Sequence, residues 1–89
     1  MKIYYTNQFK RDYKKIKKQN KDTNKLRLVV EKLAAQQQLD ARFRDHPLRG
    51  DWKGFRDCHL EPDWLLVYKL SGDTLILERT GSHSELFKK

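Results

Sequence analysis

Three strand-like segments separated by two short turns occupy most of the second half of this 89-residue chain. The segments are residues 55–60, 64–70 and 74–80. Glu61-Pro62-Asp63 separates the first two segments, and Ser71-Gly72-Asp73 separates the last two. Both turns contain residues whose backbone preferences favour chain reversal. Because connections this short join only antiparallel neighbours, the sequence predicts a three-stranded β-meander.

The first third of the chain predicts a short strand followed by two helices. Residues 2–5 alternate like a strand, and Thr6 or Asn7 can cap the helix that follows. A polar break with Asp22 as a candidate cap separates this helix from the next. Apolar residues recur at helical spacing in both helices: Phe9, Tyr13 and Ile16 in the first, and Leu26, Val29, Val30, Leu33 and Ala34 in the second.

A long loop joins the helices to the meander. Residues 36–54 contain Pro47, Gly50 and Gly54 and show little periodicity. Loops of this length in small domains are usually functional or disordered, and the aromatic and charged residues here favour function. Residues 82–87 form a short tail, with room for one helical turn. We therefore predict a single α+β domain over residues 1–89, with an N-terminal strand and two helices packed on an antiparallel meander and a short C-terminal helical turn.

The positive charge is concentrated at the N-terminal end. The formal net charge is +8, and residues 1–32 contain 11 Lys or Arg against three acidic residues, whereas the rest of the chain is balanced. A one-sided basic field is typical of proteins that bind a polyanion, most often nucleic acid. The alternative is a solvated helix face that keeps a small protein soluble. The candidate RNA-binding residues in this region are Lys14, Lys15, Lys17 and Lys18.

Several classes of protein are disfavoured. No apolar run approaches the roughly 20 residues of a membrane span, and the N-terminal residues lack the apolar stretch of a signal peptide. Cys58 is the one cysteine, so an internal disulfide and a cysteine zinc site are excluded. Its alternation with Leu60, opposite His59, predicts a buried structural thiol. We expect a reduced, cytoplasmic protein with no membrane partner.

The meander places two of the three histidines at the same end of the sheet. The first strand ends near His59, the third ends just before His83, and Asp63 begins the strand between them. Because neighbouring strands lie about 4.8 Å apart, the two strand ends should be about 10 Å apart. The loop carrying His46 leads directly into the first strand. Each histidine alone is more often an ordinary surface or hydrogen-bonded residue, but their convergence favours a site.

Two chemistries suit such a site. RNA cleavage uses the substrate's own 2′-OH and needs a base and an acid, and imidazoles can serve as both because their ordinary pKa is about 6.5. Each proton transfer contributes roughly 10²–10⁴-fold to the rate, and a cation must stabilise the phosphate. The second chemistry is a metal site of three histidines and one aspartate, although no histidines are spaced i and i+4. The local cation candidates are Arg44, Arg49, Lys53, Arg56 and Arg79.

Phe87 is an aromatic residue close to the end of the chain. It could stack on a nucleotide base beside His83, an interaction worth about 1–3 kcal/mol. It could equally fasten the tail onto the sheet.

Ordered sequence blocks in the second half resemble the YafQ branch of the RelE-like bacterial toxins. The first half is similar to that branch only in kind, as a strand and two basic helices. The blocks are Asp45-His46-Pro47-Leu48-Arg49-Gly50, Trp52-Lys53, Arg56-Asp57-Cys58-His59, Glu61-Pro62-Asp63-Trp64, Arg79-Thr80-Gly81-Ser82-His83 and Leu86-Phe87.

This resemblance implies a RelE-like microdomain and an activity. The chain would be the toxin of a type II toxin–antitoxin system, a ribosome-dependent endoribonuclease that cuts mRNA in the ribosomal A site. We expect neither a metal nor a cofactor. Asp63 would orient a histidine, adjust its pKa, or contact the 2′-OH. Which histidine acts as the base and which as the acid is left open. The implied catalytic residues are His46, His59, Asp63, His83 and Phe87.

The resemblance also implies partners. The basic helices would contact ribosomal RNA, and a DinJ-like antitoxin would neutralise the toxin. Operator DNA would be bound only through the toxin–antitoxin complex. An alternative function is non-enzymatic, because ParE-like proteins of the same fold inhibit DNA gyrase by docking.

Overall fold

A five-stranded sheet forms the centre of the structure, a computed structural model that describes residues 1–87. The sheet order is β1-β5-β4-β3-β2. The predicted meander is confirmed, because β3, β4 and β5 are antiparallel neighbours. β1 and β2 are the two edge strands, and β1 pairs parallel with β5. The strands are β1 (Lys2–Tyr5), β2 (His46–Pro47), β3 (Arg56–Glu61), β4 (Trp64–Ser71) and β5 (Thr74–Gly81).

Three helices accompany the sheet: α1 (Asn7–Lys18), α2 (Thr23–Ala34) and α3 (His83–Leu86). The Thr6 side chain accepts a hydrogen bond from the Phe9 N–H at 3.0 Å and so caps α1, as predicted. Asp22 caps α2 in the same way. Within residues 1–87, no helix is both long enough and apolar enough to span a membrane.

α1 and α2 cover one face of the sheet. Cys58 is completely buried on this face, as predicted, and its burial raises the pKa of the thiol. Tyr13 is only half-buried at the edge of the core. The buried core joins Phe9, Ile16, Leu26, Val29, Val30 and Leu33 of the helices to Cys58, Leu60, Trp64, Leu66, Tyr68, Leu75 and Leu77 of the sheet.

The segment predicted as a loop, residues 36–54, contains short stretches of regular secondary structure. It contains two short 3₁₀ turns, Ala41–Phe43 and Gly50–Trp52, and β2, which pairs antiparallel with β3. Two residues are too few to produce a periodic pattern, and Pro47 is tolerated because β2 is an edge strand. This pairing is what fixes His46 opposite Asp57.

A smaller apolar cluster covers part of the second face of the sheet. Leu65, Val67 and Leu86 form its centre, and Leu48, Trp52, Phe55 and Phe87 pack around them. Asp57 and His59 of β3 lie on the same face as this cluster, because they alternate with Cys58 and Leu60 of the helix-covered face. The polar residues of the candidate site lie on and around this part of β3.

Candidate active site

The three histidine rings lie in a row. The ring centroids of His46 and His59 are 6.4 Å apart, and those of His59 and His83 are 5.4 Å apart. β2, β3 and the start of α3 each contribute one ring. The structure therefore brings together the three histidines of the sequence prediction, and we call them the histidine row.

Asp63 holds His83 at one end of the histidine row. Asp63 Oδ1 accepts the His83 backbone N–H at 2.9 Å and lies 2.7 Å from Nδ1 of the same ring. These two hydrogen bonds lower the pKa of the Asp63 carboxyl. Since Nδ1 is engaged, Nε2 is the His83 nitrogen left to exchange a proton with a substrate.

Asp57 lies beneath the other end of the row, and sequence reasoning missed it. His46 Nε2 is 2.8 Å from Asp57 Oδ1, in a contact that does not have the geometry of a hydrogen bond. Asp57 is only 4% exposed, and burial raises the pKa of its carboxyl while the nearby histidine charges lower it. The available signal was strand alternation, because Asp57 and His59 are two residues apart and share a face.

His59 is the central ring of the row. Burial lowers its pKa; the Asp57 charge opposes that shift, and the charges of His83, Arg44 and His46 add to it. Nδ1 of His59 is buried without a hydrogen-bond partner among residues 1–87. His59 is therefore mainly neutral at pH 7, which is the form that accepts a proton.

Arg44 is the predicted cation with the clearest link to the row, because its charge acts on His59. Its backbone has φ +50° and ψ +46°, a left-handed conformation that costs free energy for a residue other than glycine. Arg49 and Lys53 are exposed on either side of the turn Gly50–Trp52 and have no ion pair among the described residues.

Arg79 does not lie free beside the histidines, in contrast to the expectation from the sequence. Its Nε donates to Asp12 Oδ2 at 2.7 Å and its Nη2 to Oδ1 at 3.2 Å. Asp12 also accepts the Thr80 backbone N–H at 3.1 Å. Arg79 is therefore tied to α1 and holds the end of β5, three residues before Ser82. The two partners are 67 residues apart, so no local pattern reveals the pair.

Arg56 is also engaged in an ion pair. Its Nε donates to Asp45 Oδ1 at 3.2 Å, and the Tyr68 hydroxyl donates to the same oxygen at 2.6 Å. Arg56 lies on the same side of β3 as Cys58, which is the helix-covered face, and His59 lies on the opposite face. Its geometry fits a role in attaching the long loop to the sheet.

The predicted RNA-binding lysines of α1 divide into two groups. Lys15 Nζ is 2.6 Å from Glu85 Oε2 of α3. This contact and a hydrogen bond from the Ser82 N–H lower the pKa of Glu85 to about 2. Lys14, Lys17 and Lys18 are exposed and have no carboxylate partner among residues 1–87.

Phe87 packs against the second apolar cluster. Its ring meets the edge of Trp52 with 5.8 Å between centroids. The contact fastens the tail onto the sheet, and the predicted stacking on a base stays a prediction.

These features place the chain in a known class of toxins. A family model described as "Bacterial toxin of type II toxin-antitoxin system, YafQ" matches residues 1–88. The chain therefore belongs to the YafQ family of bacterial type II toxins, as the sequence blocks indicated.

Relatives of known sequence and structure agree with this assignment. The chain is 48% identical to the mRNA interferase toxin YafQ of Escherichia coli strain K12, over 96% of this chain and 94% of that one. YafQ in the crystal structure of the E. coli DinJ-YafQ complex is 48% identical, with a TM-score of 0.88 over 96% of both chains. A metal-bound toxin from Helicobacter pylori is 46% identical, with a TM-score of 0.92 over 98% of this chain and 99% of that one.

The metal-bound relative makes the donor geometry of the histidine row worth testing. Within residues 1–87, no group of three His, Cys, Asp or Glu side chains is arranged to hold a metal ion. Nε2 of His46 faces Asp57, and Nδ1 of His83 faces Asp63. In this arrangement the three imidazoles do not fit a shared metal.

Proposed function

We propose that the chain is an mRNA interferase, a ribosome-dependent endoribonuclease that cuts mRNA in the ribosomal A site without a metal or cofactor. The observation that carries the proposal is the histidine row, with 5.4 and 6.4 Å between neighbouring rings and with a carboxylate at each end. The similarity to the E. coli mRNA interferase toxin YafQ supports the same activity.

The proposed reaction uses the two rings that have an available nitrogen, His59 and His83. Neutral His59 takes the proton of the 2′-OH, and the 2′-oxygen attacks the adjacent phosphorus. The P–O5′ bond breaks, and the leaving 5′-oxygen takes a proton from the His83 imidazolium. The products are a 2′,3′-cyclic phosphate and a 5′-hydroxyl, so a net proton passes from His83 to His59.

The remaining site residues would support this transfer. Arg44 would stabilise the charge that grows on the phosphate oxygens, since its own charge already acts on His59. Asp63 would orient His83 through the Nδ1 contact. His46 would act with Asp57 on the electrostatics of His59, because its Nε2 faces that carboxylate. Phe87 would position a base.

The proposed partners follow from charge and from the relatives. The exposed lysines of α1 would contact ribosomal RNA, as the concentration of positive charge in residues 1–32 favours. A DinJ-like antitoxin would neutralise the toxin, as the E. coli DinJ-YafQ complex suggests, and operator DNA would be reached only through such a complex. The site of action would be the cytoplasm.

Primer extension on a defined message tests the activity. The purified protein is incubated with the message, with and without ribosomes, beside the variants His59→Ala and His83→Ala. We expect the wild type to cut only when ribosomes are present, and the cleavage rate to fall at least about 10²-fold in either variant, because each variant lacks one proton-transfer group.

Leu70→Ala is the matched control, because Leu70 is exposed near the far end of β4. Circular dichroism verifies that every variant is folded. Full cleavage by the His46, His59, His83 triple alanine variant would contradict the proposed chemistry. An intact toxic effect without any cleavage would instead favour the non-enzymatic, docking alternative.

A further inference from the structure

A groove of about 540 Å³ runs between α2 and the outer edge of β3. One wall is formed by the side of α2 that carries Lys25, Leu28, Val29 and Lys32. The turn Ala41–Phe43 and Arg44 close one end, and His59–Pro62 form the other wall. A volume of this size is within the range of sites that enclose one small ligand or a short piece of a chain. Of the residues that line the groove, only Arg44 and His59 belong to the proposed reaction.

The charges in this groove are predominantly positive. Lys25 is neutralised by Glu61, with 2.9 Å between Nζ and Oε2. Lys32, Arg42 and Arg44 also line the groove, and no carboxylate among residues 1–87 pairs with them. Three uncompensated cations around one concavity raise the local concentration of an anionic ligand.

Apolar surface lies between these charges. Leu28 is 55% exposed, although it is a large apolar side chain on the same helix stripe as Lys32. The Arg42 guanidinium lies over the Phe43 ring, 5.0 Å from its centroid. Phosphate-binding cations next to apolar and aromatic surface are the combination that binds single-stranded nucleic acid.

The groove is continuous with the histidine row. His59 belongs to both, and the β3 edge beyond Asp57 has no neighbouring strand among the described residues, because β2 pairs only with Arg56 and Asp57. A strand of RNA with its scissile phosphate at His59 can therefore pass directly along this edge. An acidic peptide could also pair with the edge, and the binding experiment below distinguishes it from RNA.

We propose that this groove binds the single-stranded RNA segment that adjoins the scissile phosphate. Lys32, Arg42 and Arg44 bind successive phosphates, and a base lies against Leu28 or Phe43. The assignment rests on the proposed RNA-cleaving function, and it adds a substrate-binding surface on the helix side of β3 to the residues that cut.

Fluorescence anisotropy with a labelled 12-nucleotide 2′-O-methyl RNA measures the binding, because this probe lacks the attacking hydroxyl. The test variant is Lys32→Gln/Arg42→Gln. The control is Lys2→Gln/Lys69→Gln, which removes the same charge from β1 and β4, away from the groove. For single strands each phosphate contact contributes about 0.7 to the slope of log K against log salt.

We expect the test variant to lose about 1.4 from this slope and to bind about 25-fold more weakly at 0.1 M salt, whereas the control binds like the wild type. Equal losses in both variants would overturn the proposal, because they would reflect net charge rather than a site. Unchanged RNA binding with weakened binding of a purified antitoxin would also overturn it, in favour of a peptide site.

Photo-cross-linking locates the RNA without depending on charge. A benzophenone amino acid replaces either Leu28 or Leu70, both of which are exposed leucines. The same RNA should cross-link at position 28 and not at position 70. Cross-linking at neither position, while histidine-dependent cleavage persists, would reject the groove and leave the proposed function standing. Failure of the wild-type protein to cleave RNA would reject the proposed function.

Discussion

Asp12→Ala should destabilise the fold by about 3 kcal/mol, although Asp12 lies in the most positively charged part of the chain. Asp12 is 7% exposed and accepts hydrogen bonds from both Nε and Nη2 of Arg79 and from the Thr80 N–H. Gln8 Nε2 donates to it as well, at 3.0 Å. Alanine leaves a mostly buried guanidinium and a buried backbone N–H without this acceptor.

The magnitude follows from the burial of both partners. Removing one member of a buried ion pair costs about 3–5 kcal/mol. Arg79 retains 22% exposure of its side chain and can recover part of its hydration, which favours the low end. For a domain of this size each kcal/mol corresponds to about 4–8 °C in Tm, so Tm should fall by about 12–24 °C.

Thermal and urea unfolding followed by circular dichroism measure this effect. Asp51→Ala is the control, because Asp51 is exposed in the loop and should change stability by no more than about 0.5 kcal/mol. The double variant Asp12→Leu/Arg79→Leu should recover part of the loss, since it leaves no buried charge although the Thr80 N–H still lacks its acceptor. A Tm within about 4 °C of the wild type for Asp12→Ala would refute the reasoning.

Three further predictions concern activity. When kcat/KM for cleavage is measured against pH, its fall on the acid side should have an apparent pKa below the ordinary histidine value of about 6.5. The reason is that burial lowers the pKa of His59 and the neutral ring is the form needed; an apparent pKa above that value would count against His59 as the base. A chelator should leave cleavage unchanged, whereas activity lost to chelator and restored by zinc would favour the metal alternative. Charge reversal of Lys14, Lys17 and Lys18 to Glu should weaken ribosome association and reduce its salt dependence without loss of fold, and unchanged binding at physiological salt would show that these residues serve only solubility. Lys15→Glu is left out of that set because it would also break the contact with Glu85.

Local sequence signals were sufficient for most of the fold. Short turns determine antiparallel neighbours, and helical spacing determines which faces of α1 and α2 are buried, so the meander and the two helices were predictable. The position of β1 was not predictable, because its pairing with β5 joins residues about 70 apart and leaves no mark on either segment. β2 was too short to be recognised.

The candidate site was predictable to the extent that strand ends determine it. Two tight turns place His59, Asp63 and His83 together without knowledge of any side-chain contact. The partners of the arginines depend instead on remote carboxylates. The sequence therefore predicts Arg56 and Arg79 as phosphate ligands, whereas Asp45 and Asp12 engage them in the structure. Asp57 was overlooked because a buried carboxylate beneath histidines looks, in sequence, like any polar strand residue.

A message with one 2′-deoxynucleotide on the 5′ side of the cleaved bond tests the central claim, that the histidine row directs the 2′-hydroxyl against its own phosphate. The protein is incubated with ribosomes carrying either this message or its all-ribose counterpart, and the cut ends are analysed by mass spectrometry. The account predicts 2′,3′-cyclic phosphate or its 3′-phosphate opening product from the ribose message, and no cut at the deoxy position. Continued cutting at the deoxy position, with a 5′-phosphate on the downstream fragment, would contradict it.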